Sequence, residues 1–262
     1  MSSSRVDVED DDGVRLVAFD RPEVLNAFDA AMYEATSAAL DAALDDDGVR
    51  AVVLCGRGRA FTSGQDLREM AALATEALAA GAGGAPTSGS GSGFPRLLDA
   101  LVSFDKPLLA AVHGVAVGLG CTLLGHVDMA LVEEGTRLRA PFAELGVPPE
   151  AASSWLLPER MGWQRAAAVL LASEWIDAAG AVDAGLALRV CPPGTVLDEV
   201  LALARRIASF PPAATRRIKQ LMTAARRPSI EAARAREDAA FASLFADPRT
   251  NPGTALTAGL GS

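Results

Sequence analysis

The chain has 262 residues, 50% of them hydrophobic, and a formal net charge of −9 at pH 7. This length and apolar fraction are enough to bury one large core without help from a partner protein. The negative charge argues against a nucleic-acid or anionic-membrane surface, because either surface would repel the chain on average. We therefore expect neither nucleic acid nor membrane among its partners.

The composition also bears on the cellular compartment. Residues 1–12 are serine-rich and then acidic, without the apolar segment of a secretion signal, and no apolar run has the length of a membrane span. The cysteines Cys55, Cys121 and Cys191 lie in or beside apolar runs and lack C-x-x-C spacing, which predicts buried free thiols. We expect a cytoplasmic protein.

The first half of the chain predicts a β-α-β pattern. Residues 14–19 have the composition of a short strand, and Asp29 offers an N-cap for a helix that ends in the turn at residues 45–48. Residues 51–55 are almost wholly apolar, as in a strand that helices cover on both faces. The predicted helix has an apolar or small residue at every fourth position: Met32, Thr36, Leu40 and Leu44.

Residues 81–93 contain no apolar side chain larger than alanine or proline, so burial cannot offset the entropy of ordering them. We interpret this segment as a mobile loop inside one domain, since strand-like sequence resumes at residues 108–116. A linker between two domains is the alternative. Another strand is predicted at residues 127–132.

The second half of the chain is mainly helical. Helices are predicted at residues 163–171 and 177–184, with Gly185 as the stop, followed by a strand at residues 186–190. From about residue 195 onward the sequence predicts helix with two breaks. These breaks are expected at Pro211-Pro212 and at Pro228.

Most familiar catalytic motifs are absent from the sequence. His113 and His126 are the two histidines, and both lie in strongly apolar runs that disfavour a Ser-His-Asp triad. No H-E-x-x-H, P-loop or clustered set of metal ligands occurs, so we expect no metal site. The glycines Gly114, Gly118 and Gly120 do not have the G-x-G-x-x-G spacing of a dinucleotide site.

Two glycine-containing turns carry the specific information. Residues 60–67 follow the predicted strand at residues 51–55, and residues 111–121 contain the three glycines of the second turn. Each turn is expected to lead from a strand into a helix, which leaves backbone N–H donors pointing into a cleft. Two such turns that face each other could form an oxyanion hole.

Three segments occur in an order and spacing typical of one family: Leu25-Asn26-Ala27, residues 61–67, and residues 111–120 followed by Asp128. Together with residues 178–185, they resemble the signatures of the crotonase (enoyl-CoA hydratase/isomerase) family. The resemblance implies an α/β fold, the ClpP-like spiral of ββα units, with its core at residues 1–195. It also implies a C-terminal helical trimerisation region at residues 196–262, and hence a homotrimer or a hexamer built as a dimer of trimers.

The resemblance further implies an acyl-CoA thioester substrate and no separate cofactor, since CoA is part of the substrate. By position, the oxyanion hole would use the backbone N–H groups of Ser63 and Leu119. Such donors stabilise the negative charge that develops on a thioester oxygen when an α-proton is removed. The remaining expected substrate contacts are Leu25 and Ala27 near the adenine, with Gly64, Gln65, Asp66, Leu67, Gly118, Phe142 and Lys219.

Two of these positions carry further expectations. Asp66 is expected to cap or brace its loop and to take little part in catalysis. Lys219 matches a family position from which a cation can reach the CoA phosphates. A solvated helix face is the alternative for Lys219.

The carboxylates distinguish this chain from typical hydratases of the family. The positions of the two hydratase glutamates correspond to Thr122 and Phe142, neither of which can act as an acid or base. Residues 140–150 instead resemble the peroxisomal-type Δ3,Δ2-enoyl-CoA isomerases, in which a glutamate at the position of Glu150 shuttles the proton. We expect Glu150 in the first turn of a helix, and we interpret Glu144 as a surface or salt-bridge residue.

One carboxylate suffices for a 1,3-proton shift, whereas hydration usually needs two. The leading hypothesis is therefore isomerisation of 3-enoyl-CoA to trans-2-enoyl-CoA in fatty-acid β-oxidation, with Glu150 as the acid/base. A hydratase, or another crotonase reaction such as thioester hydrolysis, is the second hypothesis. The third is a catalytically weak acyl-CoA-binding protein. The acyl chain length stays open.

Overall fold

The computed structural model describes residues 5–69 and 93–246, so the predicted loop at residues 81–93 lies outside the described part except for Gly93. The strands are β1 (Val6–Asp11), β2 (Val14–Phe19), β3 (Ala51–Gly56), β4 (Leu108–Val112), β5 (Val115–Val117), β6 (Met129–Glu133), β7 (Arg137–Arg139), β8 (Ile176–Asp177) and β9 (Arg189–Cys191). The α-helices are α1 (Ala30–Asp45), α2 (Phe94–Ser103), α3 (Leu119–Thr122), α4 (Ser153–Met161), α5 (Trp163–Leu171), α6 (Ala178–Asp183), α7 (Val196–Ala208) and α8 (Pro212–Ala246). Short 3-10 helices occur at Pro22–Val24 and Leu123–Gly125.

The strands form two sheets. In the larger sheet the order is β1-β2-β3-β4-β6-β9, and only β1 is antiparallel to its neighbour. The smaller sheet has the order β5-β7-β8. Parallel strands joined through helices confirm the predicted α/β class.

The core explains why the central strands are apolar throughout. Along β3, Val52 and Leu54 pack in the cluster that contains α1 and α2, whereas Val53 and Cys55 pack in the cluster that contains α7. Helices therefore cover both faces of the larger sheet, as the sequence predicted for this strand. The three cysteines are buried and free, which confirms that prediction.

Several predicted bounds need correction. The strand expected at residues 108–116 is interrupted at Gly114, whose φ is +62° and whose added Cβ would clash with the Arg59 carbonyl oxygen. The strand expected at residues 186–190 lies instead at Arg189–Cys191. The predicted helix at residues 163–171 is confirmed, and Asp177 caps α6 by accepting from Gly180 N at 2.7 Å.

The predicted break at Pro228 is wrong, because α8 continues through it from Pro212 to Ala246. Proline removes one helix hydrogen bond, but packing on both sides holds the helix together. Ile230 and Ala233 are buried beside α4, and Arg226 pairs with Glu159 at 3.8 Å. The predicted break at Pro211-Pro212 is confirmed, since α7 ends before it and α8 begins there.

The predicted C-terminal region begins with α7, which covers one face of the larger sheet. The predicted boundary at residue 195 therefore precedes a helix that belongs to the main core. Within residues 5–69 and 93–246, no helix combines the length and apolar character needed to cross a membrane.

Candidate active site

The two predicted glycine turns face each other. Thr62 bridges to Ala116, and Val117 N donates to Thr62 O at 3.0 Å. Gly64 has φ +87°, and a Cβ there would lie 2.5 Å from Val117 O and 3.3 Å from Leu119 N. Only glycine allows this approach, so the turn sequence is set by contact between the two loops.

The two predicted oxyanion donors differ. Within the described part of the chain, the Leu119 N–H, at the first residue of α3, has no acceptor. The Ser63 N–H instead donates to Leu25 O at 2.8 Å. Of the two expected free donors, the Leu119 N–H is free among the described residues and the Ser63 N–H is not. The left-handed backbone of Leu25 (φ 55°) brings its carbonyl oxygen within hydrogen-bond distance of the Ser63 N–H.

Asn26 holds the first turn through its side chain, a role that the sequence did not reveal. The side chain is fully buried, and its Oδ1 accepts from Arg21 N at 2.9 Å. Its Nδ2 donates to Arg57 O at 2.9 Å and to Ala60 O at 2.8 Å. Asparagine tolerates a left-handed backbone better than most residues, and Asn26 has φ 57°.

Ion pairs brace the same loop. Asp66 accepts from Arg21 Nη1 at 3.2 Å and from Arg68 N at 3.1 Å, which confirms its predicted capping and bracing role. Arg21 Nη1 also donates to Ala27 O at 2.6 Å. The predicted substrate contacts Leu25, Ala27, Gly64, Gln65 and Leu67 are thus brought together, and Leu67 is 40% exposed.

Glu150 lies in a cavity of about 270 Å³ and is 8% exposed. Burial raises the pKa of its carboxyl to about 8, and the like charge of Glu237 adds to this effect. Helix α4, which follows Glu150, packs on α3, the helix that begins at Leu119 in the second glycine turn. The cavity is lined by Phe94, Pro95, Leu98, Glu150, Ala151, Arg234, Glu237 and Asp238.

The sequence predicted Glu150 in the first turn of a helix, but Glu150 precedes the helix. Helix α4 begins only at Ser153, because Ala151 and Ala152 have left-handed backbones with φ 59° and 57°. These two left-handed residues separate Glu150 from the start of the helix. Such strain at non-glycine positions persists only where neighbours hold it.

The neighbours that hold this turn are His126 and Glu237. His126 Nε2 donates to Ala151 O at 2.8 Å, and burial lowers the pKa of its imidazole to about 4. The Glu237 carboxylate accepts from Ala152 N at 2.7 Å and from Ser154 N at 2.8 Å. Neither contact was predicted, since both join segments far apart in the sequence.

Tyr33 lies between the first glycine turn and the cavity that contains Glu150. Its ring packs on Phe28 at 5.1 Å and on Phe94 at 5.8 Å between centroids. Phe28 N donates to Gly64 O at 2.7 Å, and Phe94 lines the Glu150 cavity. Burial, with the charge of Glu150 as a lesser cause, raises the pKa of the Tyr33 hydroxyl well above its usual value.

The hydratase positions carry no carboxylate and are buried. Phe142 is 5% exposed, and Thr122 Oγ1 donates to Leu119 O at 3.4 Å. Glu144 forms a surface ion pair with Arg139, which confirms its predicted role. The ring nitrogens of both histidines contact backbone carbonyls, His113 at Gly58 O and His126 at Ala151 O, an arrangement that does not form a triad.

Lys219 is buried, so its alternative interpretation as part of a solvated helix face is wrong. Its ammonium pairs with Asp128 at 2.9 Å and donates to Lys106 O at 2.6 Å. Burial lowers the pKa of Lys219, although Asp128 opposes this. Contact of Lys219 with CoA stays a prediction.

Known proteins match this chain over nearly its whole length. Residues 9–256 match the family described as Enoyl-CoA hydratase/isomerase. A probable enoyl-CoA hydratase of Rhodobacter capsulatus is 34% identical over 222 residues, covering 84% of this chain and 81% of that protein. Human Enoyl-CoA delta isomerase 2 is 31% identical over 232 residues, covering 88% of this chain and 57% of that protein. An enoyl-CoA hydratase/isomerase structure from Pseudoalteromonas atlantica matches with a TM-score of 0.86 and 31% identity, covering 98% of this chain and 97% of that one.

The shared architecture and the two facing glycine turns define an enzyme with the crotonase fold. The chain belongs to the enoyl-CoA hydratase/isomerase family. The predicted family and fold are thus confirmed. Relatives named as hydratases and as isomerases match to a similar extent, so the reaction has to be argued from the residues of the site.

Proposed function

We propose that the protein shifts the double bond of a 3-enoyl-CoA thioester to the trans-2 position, with Glu150 as its acid/base. The observation that carries this proposal is the buried Glu150 carboxyl in its own cavity, while Thr122 and Phe142 occupy the hydratase positions. One base is enough for a 1,3-proton shift. The human relative named as a delta isomerase supports the same choice.

In the proposed reaction, Glu150 takes a proton from C2 and negative charge develops on the thioester oxygen. The Leu119 N–H stabilises that charge, and the Ser63 N–H joins it by exchanging the Leu25 carbonyl for the thioester oxygen. The C3–C4 double bond shifts to C2–C3 as Glu150 returns the proton to C4. No net proton or cofactor is consumed.

The protonation state of Glu150 gives the reaction a pH dependence. Because its pKa is raised to about 8, the carboxyl is mostly protonated at neutral pH in the free enzyme. A base with a pKa near the working pH is well suited to take a proton and then return it. We therefore expect kcat/KM to rise with pH until about 8.

The proposal includes the CoA contacts that the family resemblance implies. Leu25, Ala27 and residues 64–67 would contact the CoA portion, while Gly118 and Phe142 would border the thioester. Lys219 would reach the CoA phosphates only by leaving Asp128. Assembly as a homotrimer or hexamer and a role in fatty-acid β-oxidation belong to the same proposal.

The test compares wild type and Glu150→Gln on 3-hexenoyl-CoA and, separately, on crotonyl-CoA. We expect wild type to form the conjugated 2-enoyl thioester and to hydrate crotonyl-CoA poorly. Glu150→Gln should lower turnover ~10²-fold to 10⁴-fold, the usual contribution of a general acid/base. The control Glu144→Gln, which removes an exposed carboxylate paired with Arg139, should keep wild-type turnover.

Other outcomes would favour the alternatives. Efficient hydration of crotonyl-CoA would support a hydratase, and an unchanged rate in Glu150→Gln would show that the acid/base has been assigned to the wrong residue. Affinity for CoA thioesters without turnover of either substrate would identify a binding protein.

A further inference from the structure

The C-terminal helix α8 contributes a second buried carboxylate to the cavity that contains Glu150. Glu237 is 5% exposed, and both of its oxygens are used, Oε2 by Ala152 N at 2.7 Å and Oε1 by Ser154 N at 2.8 Å. It lines the same cavity as Glu150. A single side chain therefore binds the backbone that follows the acid/base and also faces its carboxyl.

The two carboxyls have different surroundings. Burial raises the pKa of Glu237, whereas the backbone N–H bonds from Ala152 and Ser154 oppose this and favour its charged form. Within residues 5–69 and 93–246, the Glu150 carboxyl has no hydrogen bond or ion pair, and burial raises its pKa. Where two buried carboxyls share one cavity, the hydrogen-bonded one gives up its proton more readily than the other.

Other charged and titratable groups face Glu150 from two elements. From α8 come Arg234, which pairs with Asp99 at 2.8 Å, and Asp238. From α1 comes Tyr33, whose hydroxyl interacts with the charge of Glu150 and with that of Glu69. Because Arg234 is already paired, it leaves the two carboxyls only partly compensated.

We propose that Glu237 is a positioning residue for Glu150: it holds the left-handed Ala151–Ala152 turn that presents Glu150 and keeps a second negative charge in its cavity. The inference rests on the proposed function and extends it to α8. A helix at the end of the chain thereby fixes both the place and the protonation of the acid/base. Displacing a catalytic group by about 1 Å can lower the rate ~10²-fold, so the position of the Glu150 carboxyl matters for turnover.

The test is the pH profile of kcat/KM for the isomerisation of 3-hexenoyl-CoA. In Glu237→Gln the second charge is gone, so the Glu150 carboxyl ionises more easily. We expect the acid limb to move to lower pH by at least ~0.5 unit, and kcat to fall ~10-fold or more because the turn loses one acceptor. Glu237→Asp keeps the charge and shortens the reach, so it should lower kcat and leave the acid limb in place.

The matched control is Glu231→Gln, an exposed carboxylate on the same helix. Glu231→Gln should change neither the acid limb of the kcat/KM profile nor kcat. If Glu237→Gln lowers the rate equally at every pH, or leaves both quantities unchanged, the inference is overturned. If Glu237→Gln does not fold, as judged by thermal unfolding, Glu237→Asp decides: a shifted limb or an unchanged kcat overturns the inference.

A titration that needs no turnover separates this inference from the proposed function. The ¹³C resonance of the Glu150 carboxyl, assigned by its loss in Glu150→Gln, is followed against pH in wild type and Glu237→Gln. A lower midpoint in Glu237→Gln supports the electrostatic role of Glu237 even if Glu150→Gln proves active and the proposed function fails. An unchanged midpoint overturns that role even if Glu150 proves essential.

Discussion

Two pairs of adjacent non-glycine residues have left-handed backbones, one on each side of the site. Leu25 and Asn26 have φ 55° and 57°, and Ala151 and Ala152 have φ 59° and 57°. This conformation costs roughly 1–2 kcal/mol per residue, so each pair needs surroundings that hold it. The two pairs are held by different chemistry.

Neutral groups hold the Leu25–Asn26 pair. The Asn26 amide bonds four backbone groups, and Thr62 Oγ1 donates to Asn26 O at 2.6 Å. Titratable groups, His126 and Glu237, hold the Ala151–Ala152 pair. The comparison teaches that the bonds that hold the Leu25–Asn26 pair involve no titratable group, whereas those that hold the Ala151–Ala152 pair involve two.

The largest effect is expected at Asn26. Asn26→Ala removes a buried amide and leaves Arg21 N and Ala60 O without their partner, each costing about 1–3 kcal/mol. We expect the free energy of unfolding to fall by ~3 kcal/mol or more, equally at pH 6 and pH 8, because no titratable group is involved. Urea denaturation at both pH values measures this.

Thr36→Val is the matched control, since Thr36 is equally buried and its hydroxyl makes one local bond to Met32 O at 2.8 Å. It should cost no more than ~1.5 kcal/mol. A loss at Asn26 as small as that of the control, or one that changes with pH, would contradict the neutral support of the first pair.

A smaller, pH-dependent effect is expected at His126. Its pKa is about 4 in the folded protein, against an ordinary value of 6.5, so the unfolded chain binds more protons between these values. The stability that neutral His126 contributes is therefore complete above pH 6.5 and is lost as the pH falls toward 4. His126→Gln keeps a donor for Ala151 O without titrating.

Between pH 7 and pH 5, wild type should lose ~2 kcal/mol more stability than His126→Gln, since pH 5 lies about 1.5 units below the ordinary pKa and each unit is worth about 1.36 kcal/mol. Urea denaturation at the two pH values measures this difference. His113→Gln, which removes the partly exposed histidine, should retain the wild-type dependence. Equal losses in wild type and His126→Gln would show that His126 does not make the second pair acid-sensitive.

The sequence was sufficient where local pattern decides the structure. Asp29 caps α1 by accepting from Met32 N at 2.8 Å, as predicted. Strand β1 was missed because it is an acidic edge strand with four exposed residues at its end, and charge at a sheet edge resembles a solvated tail. The charged edge discourages pairing with another chain.

The rest of the site depends on contacts that no local pattern encodes. The Glu150 segment was identified from its motif, but the contacts from His126 and Glu237 arise only when α8 and the 3-10 turn fold against it. The engagement of Ser63 by Leu25 follows from a left-handed backbone at a leucine. Sequence gives little sign of this conformation at non-glycine residues.

The smallest effect is expected at Ala152, where it reports the strain directly. Ala152→Gly loses a buried methyl, worth about 0.8 kcal/mol, but relieves a left-handed backbone worth roughly 1–2 kcal/mol. With the extra entropy that glycine loses on folding, about 0.5–1 kcal/mol, the net change should lie within ~1 kcal/mol of zero.

Ala181→Gly is the matched control, since Ala181 is equally buried but lies in the helix α6. It should cost ~2 kcal/mol, because helix propensity and burial are both lost there. Urea denaturation measures the free energy of unfolding of both variants. Equal losses in the two would mean that the Ala151–Ala152 pair is not strained, so that His126 and Glu237 hold no strained turn.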